Sequence, residues 1–243
     1  MTVRLDVLPA AAWAERVAAD LAARLRDVPR MRLCLPTGDT PAPVYARLAA
    51  MARAGAAPFA ATEIVALDEY LGLPPGHPAR CDVRLRRELL DLLPEPPAAF
   101  HRIEADDPDP AAAAARIEAT AARGLDLAIL GLGMNGHVGL NEPGSFADAP
   151  TRVVRTSETT RRAAVERYGA DPAPTAGITL GVARLLRAHE IWLLVTGERK
   201  APILARALEE PEGPDCPAAW LRRHPSLRVV ADEPAAAALR GRA

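Results

Sequence analysis

The densest run of chemically able residues is Gly131-Leu132-Gly133-Met134-Asn135-Gly136-His137-Val138-Gly139-Leu140-Asn141-Glu142-Pro143-Gly144. A histidine moves protons near neutral pH, and Glu142 or Asn135 can orient its ring and set its tautomer. Glycines at this density impose unusual backbone angles or bring a ligand close to the main chain. The run is not a dinucleotide fingerprint. Gly131, Gly133 and Gly136 have its spacing, but a loop ending at Pro143 follows instead of a helix. A structural turn carrying an incidental histidine is the bland alternative.

Asp68 and Glu69 end an apolar run. If the extension continues, one carboxylate points inward and the other outward. The inward one, partly desolvated at a rim, has its pKa raised toward general-base work. Taken alone, an aspartate there is as often a cap or turn former. Thr37-Gly38-Asp39-Thr40-Pro41 suits the start of a helix, with Thr40 as N-cap and Pro41 as first helical residue. Free N–H groups at such an end attract anions, and Gly38 lets a phosphate approach. Asp39 opposes a phosphate, so it must point away or meet a sugar hydroxyl. Thr151-Arg152, Thr159-Thr160-Arg161 and Lys200 add cations, each alone an ordinary surface residue. Gathered on one rim, they would balance one phosphate dianion.

The elements that must position these residues alternate. Strands are expected over 31–36, 63–67, 125–130, 190–195 and 227–230. Helices are expected over 10–26, 41–54, 83–93, 109–122, 158–168, 199–208 and 217–223. Strands flanked by helices imply an α/β fold whose mostly parallel sheet is covered on both faces. Ligands gather beyond the carboxyl ends of such strands, and four of those ends carry the residues above. No proline-rich stretch has the length or polarity of a linker, so one domain over residues 1–243 is expected.

Composition excludes several classes. Of 243 residues, 49% are hydrophobic and 25% charged, which is globular rather than disordered. Thirty basic residues against thirty-one acidic ones argue against a nucleic-acid partner. Apolar runs are too short for a membrane span, and no signal-like start is present, so a cytoplasmic protein without membrane association is expected. Cys34, Cys81 and Cys216 lack metal spacing and read as reduced, buried thiols. His101 and His224 flank elements without evident partners, and His189 precedes a strand. His77 lies on a proline-rich loop that could act as a lid. No metal set or Walker-type loop is found.

In this order, the motifs resemble the glucosamine-6-phosphate deaminase family. Thr37-Gly38-Asp39-Thr40-Pro41 is similar to its phosphate loop, and Asp68-Glu69-Tyr70 with Gly72-Leu73 to its Asp-Glu-Tyr-x-Gly-Leu segment. Gly133–Gly144 matches its ring-opening loop closely, and further matches at Thr160-Arg161, Thr196–Lys200 and Asp215–Pro217 extend the resemblance over most of the chain. The resemblance implies a modified Rossmann-like fold and a cytoplasmic hydrolase of amino-sugar catabolism. It would turn glucosamine 6-phosphate and water into fructose 6-phosphate and ammonia, with no cofactor and no metal. By matched position, His137 opens the sugar ring, assisted by Glu142 and Asn135, and Asp68 moves the C2 proton to C1 through an enolamine. Thr37, Gly38, Thr40, Gly136, Arg161 and Lys200 bind the substrate and its phosphate.

Departures are visible. Asp39 stands where relatives usually carry a small or neutral residue, and Arg80-Cys81 replaces their Ser-Tyr. Val154 replaces a basic effector-site residue, so allosteric activation is not expected. The partner expected is a small-molecule sugar phosphate, and the protein a monomer or small homo-oligomer. A galactosamine-6-phosphate deaminase is the nearest alternative. A 6-phosphogluconolactonase and a non-catalytic sugar-phosphate sensor stand further off.

Overall fold

The computed structural model describes residues 3–240. Its strands are β1 (Arg4–Leu8), β2 (Arg32–Leu35), β3 (Glu63–Ala66), β4 (Asp68–Tyr70), β5 (Ala99–His101), β6 (Leu127–Gly131), β7 (Arg152–Arg155), β8 (Ala176–Thr179), β9 (Glu190–Val195) and β10 (Leu227–Asp232). Its helices are α1 (Ala10–Asp27), α2 (Ala42–Arg53), α3 (Cys81–Glu88), α4 (Pro110–Ala122), α5 (Glu158–Tyr168), α6 (Val182–Leu185) and α7 (Ala201–Glu209). A seven-stranded sheet runs β1-β10-β9-β6-β2-β3-β5, with every neighbouring pair parallel. A three-stranded antiparallel sheet, β4-β8-β7, stands beside it.

The two-residue period of a strand explains the cover on both faces. In β6, Leu127 and Ile129 enter one core while Ala128 and Leu130 enter the other. In β9, Trp192 and Leu194 face the first core, and Ile191, Leu193 and Val195 the second. Leu21 of α1 and Leu48 of α2 complete the first; Ile117 of α4 and Leu204 of α7 complete the second. Because both faces are buried, β6 and β9 read as unbroken apolar runs.

From β2 the chain builds β3 and β5 on one side, then crosses to β6 on the other. The order therefore reverses between β2 and β6, which leaves a crevice beyond their carboxyl ends. The loops after those two strands flank it.

Several elements differ from expectation. β1, β4, β5, β7 and β8 had no distinct pattern; each is short or edge-lying and takes its form from a partner strand. β8 pairs with both Asp68–Tyr70 and Arg152–Arg155 and so creates the small sheet. α3 starts at Cys81 because the Glu69 carboxylate accepts the N–H groups of Cys81 and Asp82, each at 2.8 Å. It stops at Glu88, where Leu89 leaves helical geometry at φ −141°. Residues 198–200 form a 3-10 turn before α7, and 217–223 a 3-10 helix. His101 and His224 do have partners: Nε2 of His101 lies 3.0 Å from Glu63 Oε2, and Nε2 of His224 lies 2.8 Å from the Ala188 carbonyl oxygen. Among the described residues no helix is long and apolar enough to cross a membrane. Cys34, Cys81 and Cys216 are free and buried.

Candidate active site

A pocket opens at the crevice, with Thr37–Thr40, Asp68, Gly131–Met134, His137 and Lys200 among its walls. β3 stops at Ala66, and the chain then enters the small sheet with Asp68 turned to the pocket and Glu69 buried beneath. Glu69 accepts the N–H groups of Tyr70, Cys81 and Asp82, which pins the start of α3 beside Asp68. Burial pushes the Asp68 carboxyl up to about 6, although the charge of His137, a hydrogen bond from the Cys81 thiol and the charge of Arg84 favour its anion. Such a group is ionised at neutral pH, yet its conjugate acid holds a proton well enough to return it.

His137 is oriented from behind. Asn135 Nδ2 donates to Glu142 Oε2 at 2.9 Å and to Ser157 Oγ at 3.2 Å. The amide oxygen must then be the acceptor, and it lies 2.7 Å from His137 Nδ1 and 3.2 Å from the His137 backbone nitrogen. Nδ1 therefore carries the proton, and Nε2 is free to accept one. Glu142 Oε2 stands 3.5 Å from Nδ1, close enough for its charge to stabilise an imidazolium. Burial opposes that charge. Hydrogen bonds from His137, Thr160 and Asn135, with the histidine's own charge, nevertheless hold the Glu142 carboxyl down at about 2.

The imidazole lies directly against Gly133, where a Cβ would stand 2.3 Å from ring atoms Cε1 and Nδ1. Gly133→Ala is therefore expected to displace the ring and lower turnover by about 100-fold, the scale of an ångström misplacement. Steady-state rates beside an unchanged circular dichroism spectrum would check this; wild-type rates would mean that the ring position is not critical.

Thr37, Gly38 and Thr40 line the pocket. Gly38 has φ +142°, which favours glycine, and a Cβ there would meet only Pro41 Cδ at 3.7 Å, so the approach is open. Thr40 is not the cap. Pro41 occupies that place and supplies no side-chain bond, while Thr40 Oγ1 lies 3.3 Å from Thr196 Oγ1 and ties the loops after β2 and β9. Lys200 Nζ donates to the Leu132 carbonyl. Burial, with Arg167 and Arg199 nearby, brings Lys200 down to about 8 against the pull of Asp39.

Two expected ligand contacts stand elsewhere. Arg161 follows Thr159 by two residues, about 200° around the helix. It donates to the Thr156 carbonyl at 2.6 Å and to Glu158 at 2.8 Å, away from the pocket wall. Gly136 faces backward, where a Cβ would be 2.7 Å from Cys216 Sγ. Asn135 and Glu142 act behind the histidine rather than on the wall. Arg152, expected on the rim, instead donates to Asn141 Oδ1 and Ser145 Oγ at 2.9 Å and shapes the loop.

The pocket also takes in Cys81 and Arg84 of α3 and Arg167 and Tyr168 of α5, which sequence motifs did not single out. Spacing offered a signal in α5, since Thr159, Ala163 and Arg167 recur every four residues and share one face. Asp39 turns toward that helix, accepting from Arg167 Nη1 at 2.8 Å and from the Tyr168 hydroxyl at 3.2 Å. The Arg84 guanidinium lies 3.7 Å from the centre of the Tyr168 ring.

The chain is similar to known proteins over most of its length. The sequence model of the family described as glucosamine-6-phosphate isomerases/6-phosphogluconolactonase matches residues 8–230. The chain is 39% identical over 235 residues to a glucosamine-6-phosphate deaminase of Streptomyces coelicolor, covering 95% of this chain and 90% of that one. Its identity to a glucosamine-6-phosphate deaminase of Rhodopirellula baltica is 37%, over 94% and 92% of the two chains. A solved monomeric glucosamine-6-phosphate deaminase superposes with TM-score 0.92 at 28% identity, covering 97% of this chain and all of that one (100%). The 6-phosphogluconolactonase of Thermotoga maritima shares the fold at TM-score 0.76 and 20% identity, over 96% of this chain and 100% of that one. These names overturn the expectation of a hydrolase, since the words they carry are isomerase and deaminase. A carboxylate and a histidine with a free ring nitrogen in one pocket are suited to moving protons.

Proposed function

This chain belongs to the family of glucosamine-6-phosphate isomerases and 6-phosphogluconolactonases, and within that family we infer a glucosamine-6-phosphate deaminase. The observation that carries the reading is the pairing, in one pocket, of Asp68 at about 6 with a histidine whose Nε2 is free to accept a proton. A lactonase has no carbon acid to deprotonate, and a sensor needs neither group.

The reaction follows from those groups. His137 Nε2 takes the proton of the C1 hydroxyl and delivers it to the ring oxygen, so the C1–O5 bond breaks and a free aldehyde forms. Glu142, through Asn135 and by its charge, stabilises the imidazolium between those steps. Asp68 removes the proton at C2, now acidified by the aldehyde, while the C2 ammonium passes one of its protons to O1. The resulting enolamine takes the Asp68 proton back at C1 and becomes a protonated imine at C2. Water adds to that imine, the C–N bond breaks, and fructose 6-phosphate and ammonia leave. Thr37, Gly38, Thr40 and Lys200 hold the phosphate end meanwhile.

The protein works in the cytoplasm as one unit over residues 1–243, as a monomer or small homo-oligomer. Ammonia and ketose-phosphate release from glucosamine 6-phosphate, with galactosamine 6-phosphate in parallel and no added metal, tests the reading. Turnover of the gluco epimer is expected. Release from the galacto epimer alone would move the assignment to that substrate, and silence on both would sink it.

A further inference from the structure

The loop that carries His137 does not hold its own shape. Gly136 and Gly144 bracket it at φ +87° and +100°, where the backbone gives up glycine's freedom and offers no side chain to pack. Both glycines are tied from outside, by one segment far along the chain. The Ala218 N–H donates to the Gly136 carbonyl at 2.9 Å, and the Gly144 N–H donates to the Pro214 carbonyl at 2.8 Å. Between those bonds Cys216 closes against Gly136, where a Cβ would stand 2.7 Å from Sγ. A third tie comes from a side chain: Trp220 Nε1 donates to the Ser145 carbonyl at 3.0 Å.

That segment is itself anchored. Ala218, Ala219 and Leu221 share a core with Leu204 and Ala207 of α7. Arg222 donates to the Leu208 and Glu210 carbonyls at 3.0 and 2.7 Å. The Arg223 guanidinium lies 4.4 Å from the centre of the Trp220 ring and donates to Glu212 at 2.6 Å. From Ser145 the path to the histidine is short. The Ser145 N–H donates to the Glu142 carbonyl at 3.0 Å, the Glu142 carboxylate accepts from Asn135, and the Asn135 oxygen accepts from His137 Nδ1.

We propose that Trp220 is a positioning residue for His137, and that residues 214–220 fix the histidine by gripping its loop at both glycine ends. Trp220 stands outside the pocket wall, so it acts through Ser145 and Glu142 rather than on substrate. Without its N–H the buried Ser145 carbonyl loses its donor, and the loop shifts to recover one. Glu142 and Asn135 then hold the ring loosely. His137 samples the tautomer with the proton on Nε2, which cannot accept another.

The kinetic part of the test rests on the deaminase reading, and the spectroscopic part does not. Nitrogen-15 NMR of the histidine rings reports the His137 tautomer in wild type, Trp220→Phe and Trp13→Phe. Trp13 is the control, because its buried ring also donates to a backbone carbonyl, that of Val230 at 3.2 Å, on the far core. Wild type and Trp13→Phe should show one tautomer, protonated at Nδ1, and Trp220→Phe a mixture. In Trp220→Phe, kcat should fall by about 10-fold, the scale of a sub-ångström misplacement. Affinity for inorganic phosphate should stay within about twofold, since that end of the pocket is built by other loops. Arg223→Ala, which leaves the buried ring in place, should move tautomer and kcat the same way by about 2-fold to 3-fold, and it carries the test if Trp220→Phe does not fold.

A single wild-type tautomer with unchanged kcat in the variant tested overturns the proposal. The same changes in Trp13→Phe also overturn it, because they would reflect general loosening. A mixed tautomer in a protein that releases no ammonia leaves the positioning role standing while the deaminase reading falls.

Discussion

Asp68→Asn is expected to abolish turnover while leaving phosphate affinity and fold intact. The amide keeps the shape of the carboxyl but takes no proton from C2, and loss of a positioned base costs about 100-fold to 10,000-fold. Deuterium exchange at C2 of bound substrate should vanish with the overall rate. Wild-type kcat/KM should fall as pH drops through about 6, because the base is active only when ionised. Stability should move the other way. A carboxyl whose folded pKa is raised favours the fold while protonated, and that contribution is lost as pH rises from its ordinary value through about 6. Above pH 7 the Asp68→Asn protein should therefore melt higher than wild type by scanning calorimetry. An active Asp68→Asn protein, or a profile flat through pH 6, would remove Asp68 from the mechanism.

What the sequence disclosed depended on whether local chemistry or tertiary pairing decides an element. Leu127–Leu130 and Ile191–Val195 are buried on both faces, so their apolar runs stood out. β4 and β7 exist because β8 lies between them, and nothing within Asp68–Tyr70 or Arg152–Arg155 shows that partner. The same division holds in the pocket. His137, Asn135 and Glu142 lie within one loop, and short-range spacing was enough to bring them together. Asp68 was legible because it follows the apolar run Ile64–Leu67 to the rim. Arg84, Arg167 and Tyr168 meet the pocket only through the packing of α3 and α5, where motif matching favoured Arg161. Arg161 is held away by its own bonds to the Thr156 carbonyl and Glu158, which no motif shows. Asp39, read as opposed to phosphate, instead accepts from Arg167 Nη1 and the Tyr168 hydroxyl.

His137→Gln should separate ring opening from proton transfer at carbon. Glutamine fills similar space and can hydrogen-bond, but it does not shuttle protons, so turnover of glucosamine 6-phosphate should drop by about 100-fold to 10,000-fold. The defect should depend on the substrate's ring. With the 5-O-methyl ether of glucosamine 6-phosphate the pyranose ring cannot close, and the work assigned to His137 is already done. On that compound His137→Gln should approach wild type, to within about tenfold, while Asp68→Asn should remain inactive. The contrast matters because either variant alone shows only that a pocket residue is needed. Equal losses on both compounds would place His137 in the C2-to-C1 transfer itself. Asn135 and Glu142 would then have been built to stabilise an imidazolium formed at the enolamine rather than at the ring oxygen.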